Sequence, residues 1–345
     1  MASVAFVYHP DYLKHDVGEH PERPARVAAI AAAVQRAGYP GVHPVEPVAA
    51  SPEQVERVHT RQHLARLRQI AASGGGYVDL DTALSPTSYD VALLAAGGAI
   101  RATAAVLSGE ARRAFAAVRP PGHHAGPDSA AGFCLLNNVA IAAREAQATF
   151  GLRRVLIADF DAHHGNGTQA VFEEDPDVLY ISIHEYPLYP GTGAVREVGR
   201  GAGRGYTVNV PVPAGTGDAE YERIFEEVLA PVARRFQPEL VLASAGYDGH
   251  WLDPLTLLDV STTGFAWMVG RLRDWAEELC GGKLTLVLEG GYNLDALAAS
   301  VLASLAALAD LPPSDPLGPP HRHRPIEVGP IIAEVRRVHS TWFRG

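Results

Sequence analysis

Asp159, Asp161 and His163 alternate at the end of a short apolar run, Val155–Asp159. In an extended chain that spacing puts all three side chains on one face. Asp161 and His163 could then grip one divalent cation. A second acidic pair, Asp248 and Asp253, follows another apolar run, Leu240–Ala243. An Asp–His pair plus one further carboxylate makes three protein ligands and leaves a position open for water, as a catalytic zinc requires. A lone Asp-x-His is more often a hydrogen-bonded strand end, but the second acidic cluster moves the reading towards a metal. The doublet His123-His124 follows Pro120-Pro121-Gly122 and precedes Gly132-Phe133-Cys134. Adjacent histidines beside a metal site could divide the work of base and acid. Tyr292 stands after Gly290 and Gly291, which let the backbone turn sharply and present a phenol to a developing oxyanion.

These residues need a scaffold that brings distant segments together. Brief apolar runs rich in β-branched residues predict strands at Val4–Tyr8, Ala114–Val118, Val155–Asp159, Val178–His184, Tyr206–Val210, Leu240–Ala243 and Leu284–Leu288. Helical patterns fall between them at about 22–38, 88–108, 135–149, 219–235, 262–279 and 294–308. This alternation predicts an α/β fold, a parallel sheet in a single domain with helices on both faces. In such sheets ligands bind at the carboxyl ends of the strands. The strands ending near 118, 159, 243 and 288 each run into a glycine-rich polar cluster, so these four clusters are expected to converge. No internal repeat and no mid-chain linker appears, so residues 1–345 read as one domain. Within it, 311–325 forms a proline-rich linker and 328–342 a C-terminal helix docking on the body. His321 and His323, in that linker, read as solvated loop residues.

Composition narrows the chemistry. The 345 residues hold 29 basic and 39 acidic side chains, a net charge of −10, with 15 histidines and only two cysteines. Cys134 and Cys280 cannot build a disulfide framework or a thiolate zinc site, so any metal must be held by histidine and carboxylate. The acidic balance argues against direct nucleic-acid binding and is compatible with cationic substrates. No run of 18 or more apolar residues stands out as a membrane span. Met1–His9 lacks the features of a signal peptide, so the expected location is the cytoplasm.

The motifs resemble those of the arginase–deacetylase superfamily, specifically its histone deacetylase and acetylpolyamine amidohydrolase branch. The matching segments are His20-Pro21-Glu22-Arg23-Pro24, Arg119-Pro120-Pro121-Gly122-His123-His124-Ala125, Gly132-Phe133-Cys134, Asp159 to Thr168, Pro190-Gly191-Thr192-Gly193 and Glu289-Gly290-Gly291-Tyr292-Asn293. They run in the family's order over most of the chain.

The resemblance implies the arginase/deacetylase fold and a metal-dependent deacetylase removing acetyl or other acyl groups from lysine-like amines. It makes Asp161, His163 and Asp253 the zinc ligands, with iron(II) equally suited to a His/Asp₂ set. It makes His124 the general base, His123 its electrostatic partner with Asp159 behind it, and Tyr292 the transition-state hydrogen-bond donor. Behind His124 stands Asn166, as in the class II deacetylases. Phe133 and Tyr189 are implied as aromatic tunnel walls; most relatives carry phenylalanine at the second. Gly132, Gly291 and Leu255 also line the substrate path, and Asp81 stands at the rim. Structural potassium is implied at Asp159, Asp161, His163 and Ser182, with a second site near Phe172, Asp175 and Val178.

Three other readings stay open. An acetylpolyamine deacetylase would use an acid at the tunnel mouth, where Leu255 is apolar. An arginase-like ureohydrolase would need a further ligand at Gly165, which has no side chain to give. A catalytically dead acyl-lysine binder would not need the complete set of His123, His124 and Tyr292. The partner is thus an acylated lysine or polyamine, with no nucleic acid or membrane, and the chain a monomer or homo-oligomer.

Overall fold

The computed structural model describes residues 2–321 and 325–343. Eight parallel strands form one sheet: β1 (Val4–Val7), β2 (Val42–Val45), β5 (Arg113–Ala116), β6 (Val155–Asp159), β7 (Val178–Glu185), β8 (Thr207–Val212), β9 (Leu240–Ala245) and β10 (Leu284–Leu288). A separate antiparallel hairpin pairs β3 (Gly76–Tyr77) with β4 (Ala83–Leu84). The sheet order is β2-β1-β5-β10-β9-β6-β7-β8. Central strands are buried along their whole length, which is why they read as continuous apolar runs instead of alternating ones.

The chain lays down β5, jumps to β6, builds outward to β8, then returns to insert β9 and β10 between β5 and β6. The carboxyl ends of β5, β10, β9 and β6 are therefore neighbours. Residues 119–124, 289–293, 246–253 and 160–166 meet there.

Two helical layers cover the sheet. Ser88–Leu107 packs with Asn138–Phe150 in one; Ala25–Ala37, Leu294–Leu308 and Thr262–Cys280 pack together in the other. Asn137, Ser261 and Asn293 cap three of these helices by accepting backbone N–H groups of Ala140, Gly264 and Ala296. Ser88–Leu107 is long and apolar enough to cross a membrane, against the expectation that no such segment exists. Most of it is buried against β1, β5 and its neighbouring helix, so its apolarity belongs to the core.

Other differences have local causes. Strand β2 was not expected; it is a half-exposed edge strand containing Pro44, which only an edge tolerates. Helix Arg61–Ala72, capped by Thr60, is mostly polar and carries only a narrow buried stripe. The helix expected from 135 starts at Asn138, because Asn137 is its cap. A single π-type stretch, Phe225–Leu229, interrupts the helical run expected at 219–235. At the C-terminus, Gly329–Val338 buries Ile332 and Val335, and the Trp342 indole donates to the Gly205 carbonyl (2.7 Å). Before residue 322, Trp251 donates to the Gly318 carbonyl (3.2 Å). His321 lies edge-on to Trp251; His323 lies outside the described residues.

A buried ion cluster joins the N-terminal motif to the sheet edge. Glu22 Oε1 accepts from Arg119 (2.6 Å) and Arg26 (3.0 Å). Arg26 in turn donates to the carbonyls of Gly291 (2.6 Å) and Glu289 (2.5 Å). Burial opposes the Glu22 charge, but Arg119, His15 and Arg26 hold its carboxyl far below the usual range. Removing one partner of such a buried network typically costs about 3–5 kcal/mol. Glu22→Ala is therefore expected to lower unfolding free energy by about that amount, measured by urea denaturation.

Two buried histidines away from this cluster are among those that make the fold less stable in acid. His59 Nε2 accepts the Asn137 N–H (2.8 Å) while Nδ1–H donates to the Gly126 carbonyl (2.9 Å), a pattern that requires the neutral ring. Burial lowers His59 to about 3 and His339 to about 4. Below the ordinary value near 6.5 the unfolded chain takes up these protons first, so stability falls as pH drops from about 6.5 towards 4. Urea unfolding at pH 7.5 and pH 5 is expected to show that loss, reduced in His339→Gln.

Candidate active site

The turn after β6 carries the acidic centre. Asp161 Oδ2 accepts the Gly290 N–H (2.8 Å), and Asp248 Oδ1 accepts the Ala162 N–H (2.9 Å). His163 Nδ1 lies 3.2 Å from Asp161 Oδ1 and 3.0 Å from Asp248 Oδ2. Ligand atoms from Asp161, His163 and Asp248 all fall within 4.8 Å of one another, the one such group of three among the described residues. Burial and the Asp161 charge raise the Asp248 carboxyl above its usual range. Two carboxylates this close repel one another, and a divalent cation between them would remove the repulsion. Backbone packs closely against them: a Cβ on Gly246 would collide with the Asp161 carboxylate, and one on Gly290 with both carboxylates. The donor set therefore fits a small divalent metal.

Asp253, expected as the third ligand, is not in this group. Its Oδ1 accepts the Leu255 N–H (3.0 Å), and its Oδ2 accepts those of Tyr292 (2.7 Å) and Asn293 (3.2 Å). These bonds fix the Tyr292 turn and leave each Asp253 oxygen a further lone pair, while Asp248, five residues earlier, faces His163.

The histidine doublet sits beside this centre with its rings 4.0 Å apart. His123 Nδ1 meets Asp159 Oδ2 (3.1 Å), which also accepts the Tyr180 hydroxyl (2.9 Å). His124 Nδ1 donates to Asn166 Oδ1 (2.8 Å), leaving Nε2 with its lone pair. Burial disfavours charge on both rings, but the Asp161 and Asp159 carboxylates lift His123 to about 10. Burial, His123 and His163 push His124 well below its usual value. Environments that drive two adjacent groups apart in this way separate a cationic ring from a neutral one able to act as base.

Glu289 holds the doublet against β10: its Oε2 accepts the N–H groups of Gly122 (2.6 Å) and His123 (3.1 Å), and its Oε1 the Ser244 hydroxyl (3.1 Å). Sequence reasoning gave Glu289 no role; its place in Glu289-Gly290-Gly291-Tyr292 was the available signal. Gly291, at φ +117°, turns the chain so that Tyr292 reaches the cavity. The Arg26 guanidinium lies over the Tyr292 ring, 4.9 Å from its centroid.

A cavity of about 210 Å³ leads to these groups, lined by Asp81, His124, Gly132, Phe133, His163, Leu188, Tyr189, Leu255 and Tyr292. Leu188 was not expected. The Tyr189 ring stands edge-on to His124 at 5.1 Å, and Phe133 edge-on to Tyr292 at 5.9 Å. Phe133 has φ +69°, and its N–H donates to the Thr82 hydroxyl (3.1 Å). His20 packs edge-on against Phe133 at 4.6 Å and bonds the Asp81 carbonyl (3.1 Å), so the N-terminal motif braces a tunnel wall. A larger apolar cavity of about 380 Å³ beside β1 and β2 has no charged side chain in its lining and no link to this chemistry.

Of the residues tied to potassium, Ser182 pairs in register with Asp159, and its hydroxyl meets His184 Nδ1 (2.8 Å). Phe172 and Asp175 share a turn before Val178, and the Asp175 carboxylate accepts from Arg144 (2.5 Å).

A parallel sheet in this order, with its chemistry gathered at the carboxyl edge of four adjacent strands, is the arginase/deacetylase fold. The crystal structure of the HDA15 HD domain superposes with a TM-score of 0.91 over 99% of this chain and 95% of that one, at 38% identity. The histone deacetylase domain family matches residues 20–308. A probable deacetylase of Archaeoglobus fulgidus is 42% identical over 98% of both chains. A histone deacetylase-like amidohydrolase of Pseudomonas aeruginosa is 41% identical over 71% of this chain and 64% of its own length. The chain belongs to the histone deacetylase family.

The part each aspartate plays is open to experiment. Asp161→Ala and Asp253→Ala are each expected to lose bound metal as well as activity, measured by elemental analysis of purified protein. Metal at the wild-type level in Asp253→Ala with loss in Asp248→Ala would put Asp248 in the ligand set in its place.

Proposed function

We propose that the chain is a metal-dependent amidohydrolase that removes acetyl or related acyl groups from lysine-like amines. The observation that carries this reading is the buried Asp161–His163–Asp248 group, set at a tunnel base beside one neutral and one cationic histidine. Zinc or iron(II) would suit Asp161 and His163 with a further carboxylate, Asp253 by the family resemblance or Asp248 by its nearness to His163. When bound, such an ion polarises an amide carbonyl and makes a water nucleophilic near neutral pH.

The remaining steps belong to the protein. Phe133 and Tyr189 hold an alkyl chain between their rings and direct its amide to the base of the tunnel. His124 Nε2 takes a proton from the attacking water and returns it to the leaving amine. The Asn166 acceptor keeps His124 in the required tautomer. His123, charged beside Asp159, favours the negative transition state. The Tyr292 hydroxyl donates to the oxyanion. Potassium at the strand end holding Asp159, Asp161, His163 and Ser182, and at the turn of Phe172, Asp175 and Val178, would serve structure alone.

A single metal is favoured over a ureohydrolase pair because Gly165 is walled in: a Cβ there would collide with the Asp159 carboxylate and the Tyr180 hydroxyl. The second reading, acetylated polyamines, has less support, since Leu255 at the mouth is apolar. The complete set of groups speaks against a mere binder.

Tyr292→Phe is expected to retain metal and lose about 10²–10³ in kcat on acetyl-lysine substrates, the usual effect of losing one oxyanion donor. Wild-type turnover in that variant would remove Tyr292 from the chemistry. A panel of acetyl-lysine peptides, N-acetylputrescine and N-acetylspermidine, run with and without a chelator, tests the substrate class and the metal together.

A further inference from the structure

The loop between β7 and β8 carries Tyr189, one wall of the tunnel. Tyr189 is 40% exposed, so packing covers only part of it and the loop backbone has to hold its ring against His124. The loop's entry is fixed by the sheet, where the Tyr186 N–H donates to the Val212 carbonyl (2.8 Å). Its exit, Thr192 to Ala194, lies outside any strand and is held by side chains.

Glu197 Oε1 accepts the N–H groups of Gly193 (3.0 Å) and Ala194 (3.1 Å), and its Oε2 accepts from the Gln169 amide (2.8 Å). Gln169 Oε1 accepts from Asn209 (2.8 Å) and from His164 Nε2 (3.0 Å). His164 Nδ1 then accepts the Thr192 hydroxyl (2.8 Å). A carboxylate only accepts, so the Gln169 NH₂ faces Glu197 and its oxygen faces His164. The bonds leave the loop at Thr192 and return to it at Gly193. Gly193, at φ +90°, lies against the His164 and His184 rings, where a Cβ would collide with both. Burial opposes the Glu197 charge, but the Gln169, Ala194 and Gly193 donors hold its carboxyl below the usual range.

This circuit joins the wall to the chemistry. His164 directly follows His163. Gln169 sits in helix Asn166–Phe172, three residues after the Asn166 that holds His124. One short helix thus serves the base through Asn166 and the wall through Gln169.

We propose that Gln169 and Glu197 are positioning residues: their amide–carboxylate pair clamps the exit of the Tyr189 loop to the turn after β6 and so sets the width of the tunnel. The proposal rests on the deacylase reading and adds what fixes one wall. Neither side chain lines the cavity, so both act through the loop. Loosening the clamp is expected to weaken substrate binding and to spare the metal and the proton transfer.

The test exchanges the two groups. Gln169→Glu alone sets two carboxylates face to face, and Glu197→Gln alone sets two NH₂ groups face to face. Gln169→Glu combined with Glu197→Gln restores every donor and acceptor. Each single variant is expected to raise KM for an Nε-acetyl-lysine amide about tenfold, the effect of a buried group losing its partner, with kcat and bound metal close to wild type. The combined variant is expected to recover the wild-type KM. In a Tyr189→Ala background, Gln169→Glu is expected to add little, because the wall that it positions is gone. Wild-type KM in the single variants, loss of their metal, a combined variant no better than the singles, or an undiminished effect in the Tyr189→Ala background each overturns the positioning role and leaves the deacylase reading standing. Absence of turnover in the wild type defeats that reading instead. Hydrogen exchange of the 186–197 segment then decides the clamp: fast in Gln169→Glu and slow in both the wild type and the combined variant supports it, and equal rates in all three overturn it.

Discussion

Asp161 and Asp248 place two carboxylates side by side in the interior, and their repulsion is a constraint that the surrounding elements have to meet. Backbone N–H groups from Gly290 and Ala162 take one oxygen of each. Glycine at 246 and 290 lets the neighbouring backbone approach closely enough to do so. The His163 ring stands between the remaining oxygens, and the His123 charge lies close to Asp161. These arrangements offset part of the cost of burying charge, and a divalent ion would offset the rest.

The strand order is what makes this possible. Inserting β9 and β10 between β5 and β6 brings four loop ends from widely separated parts of the chain onto one edge. Adjacent strands lie about 4.8 Å apart, so side chains at neighbouring strand ends are within hydrogen-bonding reach without long loops. Glu289 on the end of β10 reaches the His123 backbone across one such gap, and Asp161 after β6 reaches the Gly290 backbone past the end of the intervening β9. Outside this ring, Glu22 and Arg26 tie the first helix to the Tyr292 turn, so the N-terminal motif supports chemistry that it does not touch directly.

Much of this was legible beforehand. The central strands announce themselves because both faces are buried, and Val155–Asp159 and Leu284–Leu288 begin and end where the pattern put them. Strand β2 was hidden because an edge needs no apolar run, and helix Arg61–Ala72 because most of its surface faces water. At the site, the spacing of Asp159, Asp161 and His163 and the adjacency of His123 and His124 showed which residues could act. The roles of His20, Glu22 and Glu289 were not visible, because each works through a partner distant in the chain.

The amino-acid sequence alone determined the donor types, the alternation that presents Asp161 and His163 from one strand end, and the glycines that leave space for them. These are local properties, set by covalent geometry and side-chain size. Only the tertiary structure set the surroundings of Asp248 and of Asp253. Five residues of turn separate them, and nothing in that spacing says which carboxylate faces His163 and which is taken up by the N–H groups of Leu255, Tyr292 and Asn293. That choice depends on where β10 lies relative to β9, a long-range packing outcome that no local pattern encodes.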